Sequence, residues 1–83
     1  RQLILDGQRI PLTPLELDVM RYLIERRGQA VSHADLVEAI WGYRYTGDSN
    51  VDAVAIRALR AKLGPHASLI ETVRGTGYRL REQ

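Results

Sequence analysis

Apolar residues recur along this chain with two spacings, and turn-forming or capping residues stand wherever the spacing changes. At the start, two short apolar stretches surround Asp6-Gly7 in QLILDGQRIPL. Asp-Gly favours the positive φ angles of a tight hairpin turn, so the pattern predicts two small strands. Pro11 then marks an edge or an end of the second strand, because proline cannot donate a hydrogen bond to a sheet.

Three helices are predicted from one pattern that repeats at their N-termini. A hydroxyl side chain stands three residues before a carboxylate, so the hydroxyl can cap the helix and the carboxylate can bond back to the cap. The three pairs are Thr13 with Glu16, Ser32 with Asp35, and Ser49 with Asp52. The predicted helix stops are Gly28, Gly42 and, after Leu63, Gly64-Pro65.

Each predicted helix carries one apolar stripe at the three-and-four spacing of a buried face. The stripe of the first helix is Leu17, Met20, Leu23 and Ile24, and that of the second is Leu36, Val37, Ile40 and Trp41. The stripe of the third helix is Ile56, Leu59 and Leu63. Together these residues form the predicted core.

The C-terminal segment SLIETVRGTGYRL alternates apolar and polar residues as a β-hairpin does. Its predicted strands are 70–73 and 78–80, with Gly75 and Gly77 permitting the turn; Gly77 would resist substitution if its φ were positive. A small N-terminal antiparallel sheet, a three-helix core and a C-terminal hairpin wing together predict an α+β fold, the winged helix-turn-helix. We expect a single domain over residues 1–83.

Composition narrows the classes of function. Eighty-three residues suffice for one small domain. No cysteine is present, so the chain can form no disulfide, no thiolate metal site and no thiol catalytic centre. The lack of cysteine favours a reducing, cytoplasmic setting. No apolar run approaches the ~20 residues of a membrane span, so no membrane partner is expected. The chain has two histidines, His33 and His66, and we expect no enzyme activity, no cofactor and no metal site.

Charge is distributed unevenly, although the net charge is only +2. Residues 1–43 contain five basic and six acidic side chains, whereas residues 44–83 contain seven basic and four acidic ones. The basic second half indicates a polyanionic partner that meets one face of the domain. A solvated charged surface explains this count equally well.

The predicted third helix exposes small and basic side chains opposite its core stripe. These are Asn50, Val54, Arg57, Ala58 and Ala61, with Arg60 and Lys62 on the flanks. Small central residues would let the backbone approach base edges in the ~12 Å wide major groove of DNA, while arginines reach the phosphates. An alanine-rich helix selected for helix propensity, with arginines for solubility, would have the same composition.

Arg74 stands immediately before the Gly-Thr-Gly tip of the predicted hairpin. A long cation at the end of a narrow two-stranded ribbon can enter a minor groove or follow its phosphates, which favours the DNA interpretation of the third helix. A nucleotide cradle fits poorly, because the third glycine of a dinucleotide-binding turn and the Gly-Lys-Ser/Thr of a P-loop are both missing.

Three segments that span most of the chain carry a family resemblance. They are LTPLELDVMRYLIERRGQAVSHADLVEAIWG, NVDAVAIRALRAKLG and IETVRGTGYRL. In this order they resemble the first two helices, the recognition helix and the wing of the OmpR/PhoB-type winged-helix DNA-binding domain of bacterial response regulators. The wing segment is the most specific of the three.

The resemblance implies binding of double-stranded DNA in transcription regulation. A recognition helix at about 49–63 would enter the major groove, where Val54 contacts bases and Arg57 and Arg60 hold phosphates, while a wing at about 70–80 would bring Arg74 to the minor groove. Trp41, Thr72 and Tyr78 resemble contacts to the DNA backbone. The candidate DNA-binding residues are thus Trp41, Asn50, Val54, Arg57, Ala58, Arg60, Thr72, Arg74 and Tyr78.

The resemblance also implies partners other than DNA. The loop 42–48 corresponds to a segment associated with RNA polymerase contact, and its candidate residues are Tyr43, Arg44 and Tyr45. From the sequence we expect both tyrosines of this loop to be exposed. A second copy of the domain would bind a direct repeat, and a phosphorylatable receiver domain would control the pair. Replacing Tyr43 or Tyr45 with alanine is expected to spare DNA binding.

Two departures from the family pattern bear on base preference. Where many members have Val-Asp-Val-His, this chain reads Asp52-Ala53-Val54-Ala55, without the histidine. A second arginine often follows the residue matching Arg57 and reads guanine, but this chain has Ala58 there, which forgoes ~1–3 kcal/mol of discrimination. We therefore expect phosphate contacts and the wing to carry a larger share of affinity, with Val54 and Ala58 meeting thymine methyl groups.

One alternative comes from another class of function. The same fold could serve as a protein-docking module, with the loop 42–48 and the apolar strip Val54-Ala58-Ala61 as its interface. Titration with duplex DNA at several salt concentrations separates the two hypotheses, since only DNA binding releases counterions from phosphates.

Overall fold

The computed structural model describes residues 2–82, so the predicted domain ends Arg1 and Gln83 lie outside the described residues. Its helices are α1 (Pro14–Glu25), α2 (His33–Trp41) and α3 (Val51–Leu63), followed by a 3₁₀ helix (Gly64–Leu69). Its strands are β1 (Gln2–Leu5), β2 (Gln8–Pro11), β3 (Val31–Ser32), β4 (Ile70–Val73) and β5 (Gly77–Leu80). The order of strands, three helices and hairpin is the one predicted. No helix of the described residues is long and apolar enough to cross a bilayer.

The strands form two separate antiparallel sheets. In the first sheet, β1 pairs with β2 across Asp6-Gly7, whose φ angles of 48° and 77° confirm the predicted turn. The second sheet has the order β3-β5-β4, with Val31 opposite Tyr78. The strand β3 was not predicted, because two residues are too few to show an alternating pattern. It attaches the hairpin to the start of α2.

The predicted cap of α1 is confirmed with both of its bonds, and that of α2 is confirmed for its hydroxyl bond. In α1, the Thr13 hydroxyl accepts from the Glu16 N–H at 3.1 Å and the Glu16 carboxylate accepts from the Thr13 N–H at 2.9 Å. In α2, the Ser32 hydroxyl accepts from the Asp35 N–H at 3.0 Å.

The predicted cap of α3 is wrong. Asn50 is the N-cap residue and its side chain makes no capping bond. The Ser49 hydroxyl bonds the Tyr43 hydroxyl at 3.0 Å and accepts from the Val51 N–H at 3.5 Å, while the Asp52 side chain is buried and bonds His33. Contacts outside the predicted pairing therefore hold both side chains that the local pattern assigned to the cap.

The helix ends differ from the prediction at two places. The first helix ends at Glu25 with Arg26 as its cap, and Gly28 lies beyond the cap, where its N–H donates to the Leu80 carbonyl at 2.8 Å. Gly42 ends α2 in the left-handed conformation with a φ of 78°, as predicted. The third helix ends at Leu63 with Gly64 as its C-cap, as the predicted Gly64-Pro65 stop requires, but the chain continues in an unpredicted 3₁₀ helix.

The core contains most of the predicted stripes. Seven of these residues are buried: Met20, Leu23, Leu36, Val37, Ile56, Leu59 and Leu63. In α1 the buried face is rotated relative to the prediction, since Val19 is fully buried whereas Ile24 is 37% exposed. Tyr78 and Leu80 of β5 are also buried, so the inner face of the hairpin closes the helical core.

Glu16 makes the stability of α1 dependent on pH. Burial raises the pKa of Glu16, but hydrogen bonds from Lys62 (2.6 Å) and Thr13 outweigh burial and leave the pKa below 4.5. A lowered pKa stabilises the fold above pH 4.5, and this stabilisation is lost as pH falls through the folded-state value.

We expect Glu16→Gln to reduce the urea midpoint at neutral pH and to flatten its decline towards about pH 3. The exposed Glu25→Gln should leave this profile unchanged; equal profiles for wild type and Glu16→Gln would contradict the assignment.

Candidate nucleic-acid interface

The outward face of α3 carries small and cationic side chains. Val54 is 60% exposed, Arg57 and Ala61 are exposed, and Ala58 is half-buried. The opposite face holds the buried residues of the core. After Asp52, which is itself buried, α3 has no acidic residue. The face can therefore approach a polyanion without repelling it.

Arg60 joins α3 to the hairpin. Its guanidinium donates to the Ile70 carbonyl at 2.6 and 3.1 Å and to the Thr72 hydroxyl at 2.9 Å. Arg60 and Thr72 were predicted as separate contacts to the DNA backbone, whereas the structure brings them together at one point. Nothing in the sequence signals this contact, because the partners lie in different elements.

The tip of the wing presents Arg74. Arg74 is exposed in the turn between β4 and β5, and Gly75 beside it has a φ of 78°, which only glycine adopts readily. The predicted reason for Gly77 is wrong, because its φ is not positive. Gly77 is needed for a different reason: a Cβ there would lie 2.1 Å from the Val31 carbonyl oxygen of β3.

The basic residues of the second half differ in their partners. Four are engaged: Arg60 with β4, Lys62 with Glu16, and Arg79 and Arg81 with Glu71. Within residues 2–82, the remaining three form no ion pair or side-chain hydrogen bond: Arg44, Arg57 and Arg74. Each of these three was a candidate site residue, and each is exposed. Among the basic residues of the second half, those that remain available to a partner therefore lie in the loop, in α3 and at the wing tip.

Trp41 and Asn50 lie beside this face. Trp41, half-buried at the end of α2, lines a shallow apolar groove together with Leu15, Val54 and Ala58. Asn50 borders the same groove and is exposed, and its amide is not used for capping. Both side chains are thus within the region that the sequence analysis assigned to DNA contact.

Tyr78 lies deeper than a surface contact would. The residue is 5% exposed and belongs to the core. Burial and the charge of Asp52 raise the pKa of Tyr78, so its phenol stays protonated at neutral pH. Within residues 2–82, every fully buried side-chain polar atom has a hydrogen-bond partner. The Tyr78 hydroxyl has no such partner among these residues, and its oxygen is therefore in contact with solvent. Packing is its main role, and the hydroxyl alone is available to a ligand.

The two tyrosines of the loop 42–48 are not equivalent. Tyr43 is 44% exposed. Tyr45 is half-buried: its N–H donates to the Glu38 carboxylate at 3.2 Å and its ring lies parallel to the His33 ring, with the centroids 6.3 Å apart. The expectation of two exposed tyrosines is therefore wrong for Tyr45, because the loop folds back onto α2.

One side-chain pair was not predicted, the partly exposed His33 with the buried Asp52. The Nδ1 atom of His33 lies 2.5 Å from Oδ2 of Asp52, which is 2% exposed. A signal for this was present, since Asp52 precedes Ile56 by four residues and thus falls on the buried stripe of α3. Residues 2–82 contain no group of three or more histidine, aspartate or glutamate side chains suited to a metal ion.

Solved structures with the same fold include DNA-binding domains of regulators and a longer response regulator. The RstA DNA-binding domain of Klebsiella pneumoniae, crystallised in complex with the RstA box, superposes with a TM-score of 0.90 at 32% identity, covering 98% of this chain and 83% of that one. The DNA-binding domain of CpxR from E. coli gives 0.82 at 31% identity over 93% and 78%. DrrB of Thermotoga maritima, an OmpR/PhoB homolog, gives 0.78 at 26% identity over 98% and 38%.

Sequence comparisons agree with these structures. Regulatory protein VanRB of Enterococcus faecalis is 37% identical over 98% of this chain, and response regulator ArlR of Staphylococcus saprophyticus is 40% identical over 93% of it. The chain spans 36% of the length of each of these two relatives. The family model described as "Transcriptional regulatory protein, C terminal" matches residues 7–80. The chain therefore belongs to this family, and its fold is the winged helix of OmpR/PhoB-type response regulators.

Proposed function

We propose that this domain binds double-stranded DNA sequence-specifically and acts in transcription regulation as the output domain of a two-component response regulator. In this proposal α3 enters the major groove and the hairpin reaches the adjacent minor groove. The observation that carries it is the position of two exposed arginines, Arg57 and Arg74, which pair with no side chain of residues 2–82 and lie on two elements that Arg60 holds together.

The geometry supports contact with a single duplex. Arg57 lies one helical turn before Arg60, and residues three apart share a face of a helix. Thr72, which accepts from Arg60, lies two residues before Arg74 on the hairpin. A rigid connection thus runs from the cation of α3 to the cation of the wing, as binding to neighbouring grooves requires.

Base preference would come mainly from apolar contact and from DNA shape. Val54 is exposed at the centre of the helix face, and Ala58 beside it offers a methyl group but no donor. Apolar side chains of this kind contact thymine methyl groups in the major groove. Arg74 would favour a narrow, A·T-rich minor groove, where the negative potential is strongest.

Partners beyond one duplex are also proposed. Two copies would occupy a direct repeat, and the loop 42–48 would contact RNA polymerase through Tyr43 and Arg44, which are its exposed residues among the three candidates. Such a regulator would work in the cytoplasm. The competing hypothesis is a protein-docking module without DNA recognition. In that case the exposed groove lined by Leu15, Val54 and Ala58 would be part of its interface.

Salt titration with Arg57→Ala tests the phosphate contacts. If wild type neutralises about five phosphates, log affinity for duplex DNA should fall with log salt at a slope of about −4 to −5. Arg57→Ala should weaken binding to every sequence and reduce this slope by about one unit. Arg21→Ala, the same change at an exposed position on α1, should leave the slope unchanged. Salt-independent binding by wild type would support the docking module instead.

Arg60 is less suited to this test than the sequence suggested. Its guanidinium is bonded to the Ile70 carbonyl and the Thr72 hydroxyl, so removing it would also release the hairpin from α3. A loss of affinity for Arg60→Ala would therefore combine a lost charge with a displaced wing. Arg57 has no such contacts within the described residues and reports the charge alone.

A further inference from the structure

Four side chains from four elements meet at the first residue of α2. The Nδ1 atom of His33 donates to Oδ2 of Asp52, in the first turn of α3, at 2.5 Å. The His33 ring lies parallel to Tyr45 of the loop 42–48, at 6.3 Å and 17°, and edge-on to Tyr78 of β5, at 5.3 Å and 82°. We call these four residues the His33 cluster.

The backbone of His33 adds a contact to the wing. Its N–H donates to the carbonyl of Thr76, in the turn of the hairpin, at 3.1 Å. His33 therefore contacts all three parts of the domain for which binding is proposed. It touches the recognition helix through Asp52, the wing through Thr76 and Tyr78, and the loop through Tyr45.

Asp52 requires this partner. A carboxylate that is 2% exposed lowers the stability of the folded state unless it accepts a hydrogen bond, and His33 donates one. A directional bond also restricts how the first turn of α3 can lie, which apolar packing alone does less strictly. Val54, the exposed residue proposed to meet bases, follows Asp52 by two positions, so a shift of this turn would move Val54 as well.

We propose that His33 is a positioning residue for DNA recognition and that, through Tyr45, it couples the loop 42–48 to the recognition helix. This inference rests on the proposed function, because DNA affinity is one of its measurements. A protein that binds the loop would thereby change DNA affinity, and DNA would change the affinity of that protein by the same factor.

His33→Phe tests the positioning role. Phenylalanine keeps a ring between Tyr45 and Tyr78 but removes the donor to Asp52. At a temperature where circular dichroism shows the variant folded, we expect about tenfold weaker binding to a selected DNA site. Its non-specific affinity and salt slope should not change, because Arg57 and Arg74 remain. His33→Asn, which retains a donor near the Nδ1 position, should recover most of the loss. A folded His33→Phe with wild-type discrimination would overturn the proposal.

Tyr45→Ala tests the coupling and does not require His33→Phe to fold. We expect about threefold to tenfold weaker binding to the selected site, whereas Thr46→Ala, a change at the next, exposed residue of the same loop, should bind as wild type. This result would replace the earlier expectation that both tyrosines are dispensable for DNA binding. In the double variant of His33 and Tyr45, the loss should not exceed that of His33→Phe alone. Wild-type binding by Tyr45→Ala, or fully additive losses, would refute the coupling.

Amide hydrogen exchange separates this inference from the proposed function. The Val54 N–H donates to the Asn50 carbonyl at 3.0 Å in the first turn of α3, so its exchange reports opening of that turn without DNA. Tyr45→Ala should accelerate this exchange about fivefold, and Thr46→Ala should not. If exchange responds while wild type fails to select DNA sites, the coupling stands and the proposed function fails. Unchanged exchange in Tyr45→Ala would exclude the coupling.

Discussion

Gly77→Ala is expected to destabilise the domain by about 3 kcal/mol or more, a large fraction of its total stability. A domain of this size is stable by only about 4–12 kcal/mol. The added Cβ would lie 2.1 Å from the Val31 carbonyl oxygen and 3.0 Å from the His33 nitrogen, both backbone atoms. Backbone cannot rotate away as a side chain can, so β3 and β5 would have to separate.

The matched control is Gly75→Ala, two residues earlier in the same hairpin. A Cβ at Gly75 would meet no atom within 4 Å, and the cost there is the left-handed backbone alone, about 1–2 kcal/mol. Urea unfolding of both variants measures the difference. If Gly77→Ala were as stable as Gly75→Ala, the close approach of β3 to the wing would be wrong.

Val54→Glu is expected to weaken binding to a selected DNA site by about a hundredfold or more, about 2.7 kcal/mol. The substitution places a carboxylate in the middle of the face that would lie between two rows of phosphates, and it removes the apolar contact proposed for thymine methyl groups. Since Val54 is 60% exposed, the fold should tolerate the change. The melting temperature is therefore expected to stay within a few degrees of wild type.

Ala39→Glu controls for the change of net charge. Ala39 is exposed on α2, in a groove that it shares with Asp18 and Glu25 of α1, and α3 does not line that groove. We expect its DNA affinity to fall by less than about threefold. Fluorescence anisotropy with one labelled duplex compares the two variants. Similar losses for both would show that net charge, and not the face of α3, determines binding.

Local signals predicted much of the fold. The caps at Thr13 and Ser32, the Asp6-Gly7 turn and the alternation after Ser68 are patterns within a few residues, and each corresponds to an observed feature. Where local and tertiary preferences competed, the local prediction failed. Asp52 has the spacing of a cap residue, yet it also lies on the buried face of α3, and its bond to His33 determined its position.

The exposed part of the site was easier to predict than its internal connections. Helical periodicity alone placed Val54 and Arg57 on the outer face, because the core stripe fixes the opposite side. The bond from Arg60 to Ile70 joins residues ten apart through a turn, and no periodicity indicates it. Likewise, Gly77 was attributed to turn geometry, whereas the close backbone of β3 explains it.

The central claim is that α3 and the wing occupy neighbouring grooves of one duplex. Methylation interference with dimethyl sulfate tests it directly, since guanine N7 lies in the major groove and adenine N3 in the minor groove. On a selected site we expect interference in both grooves, about five base pairs apart, with Arg74→Ala losing only the adenine signals. Interference confined to one groove, or an unchanged pattern for Arg74→Ala, would contradict the account.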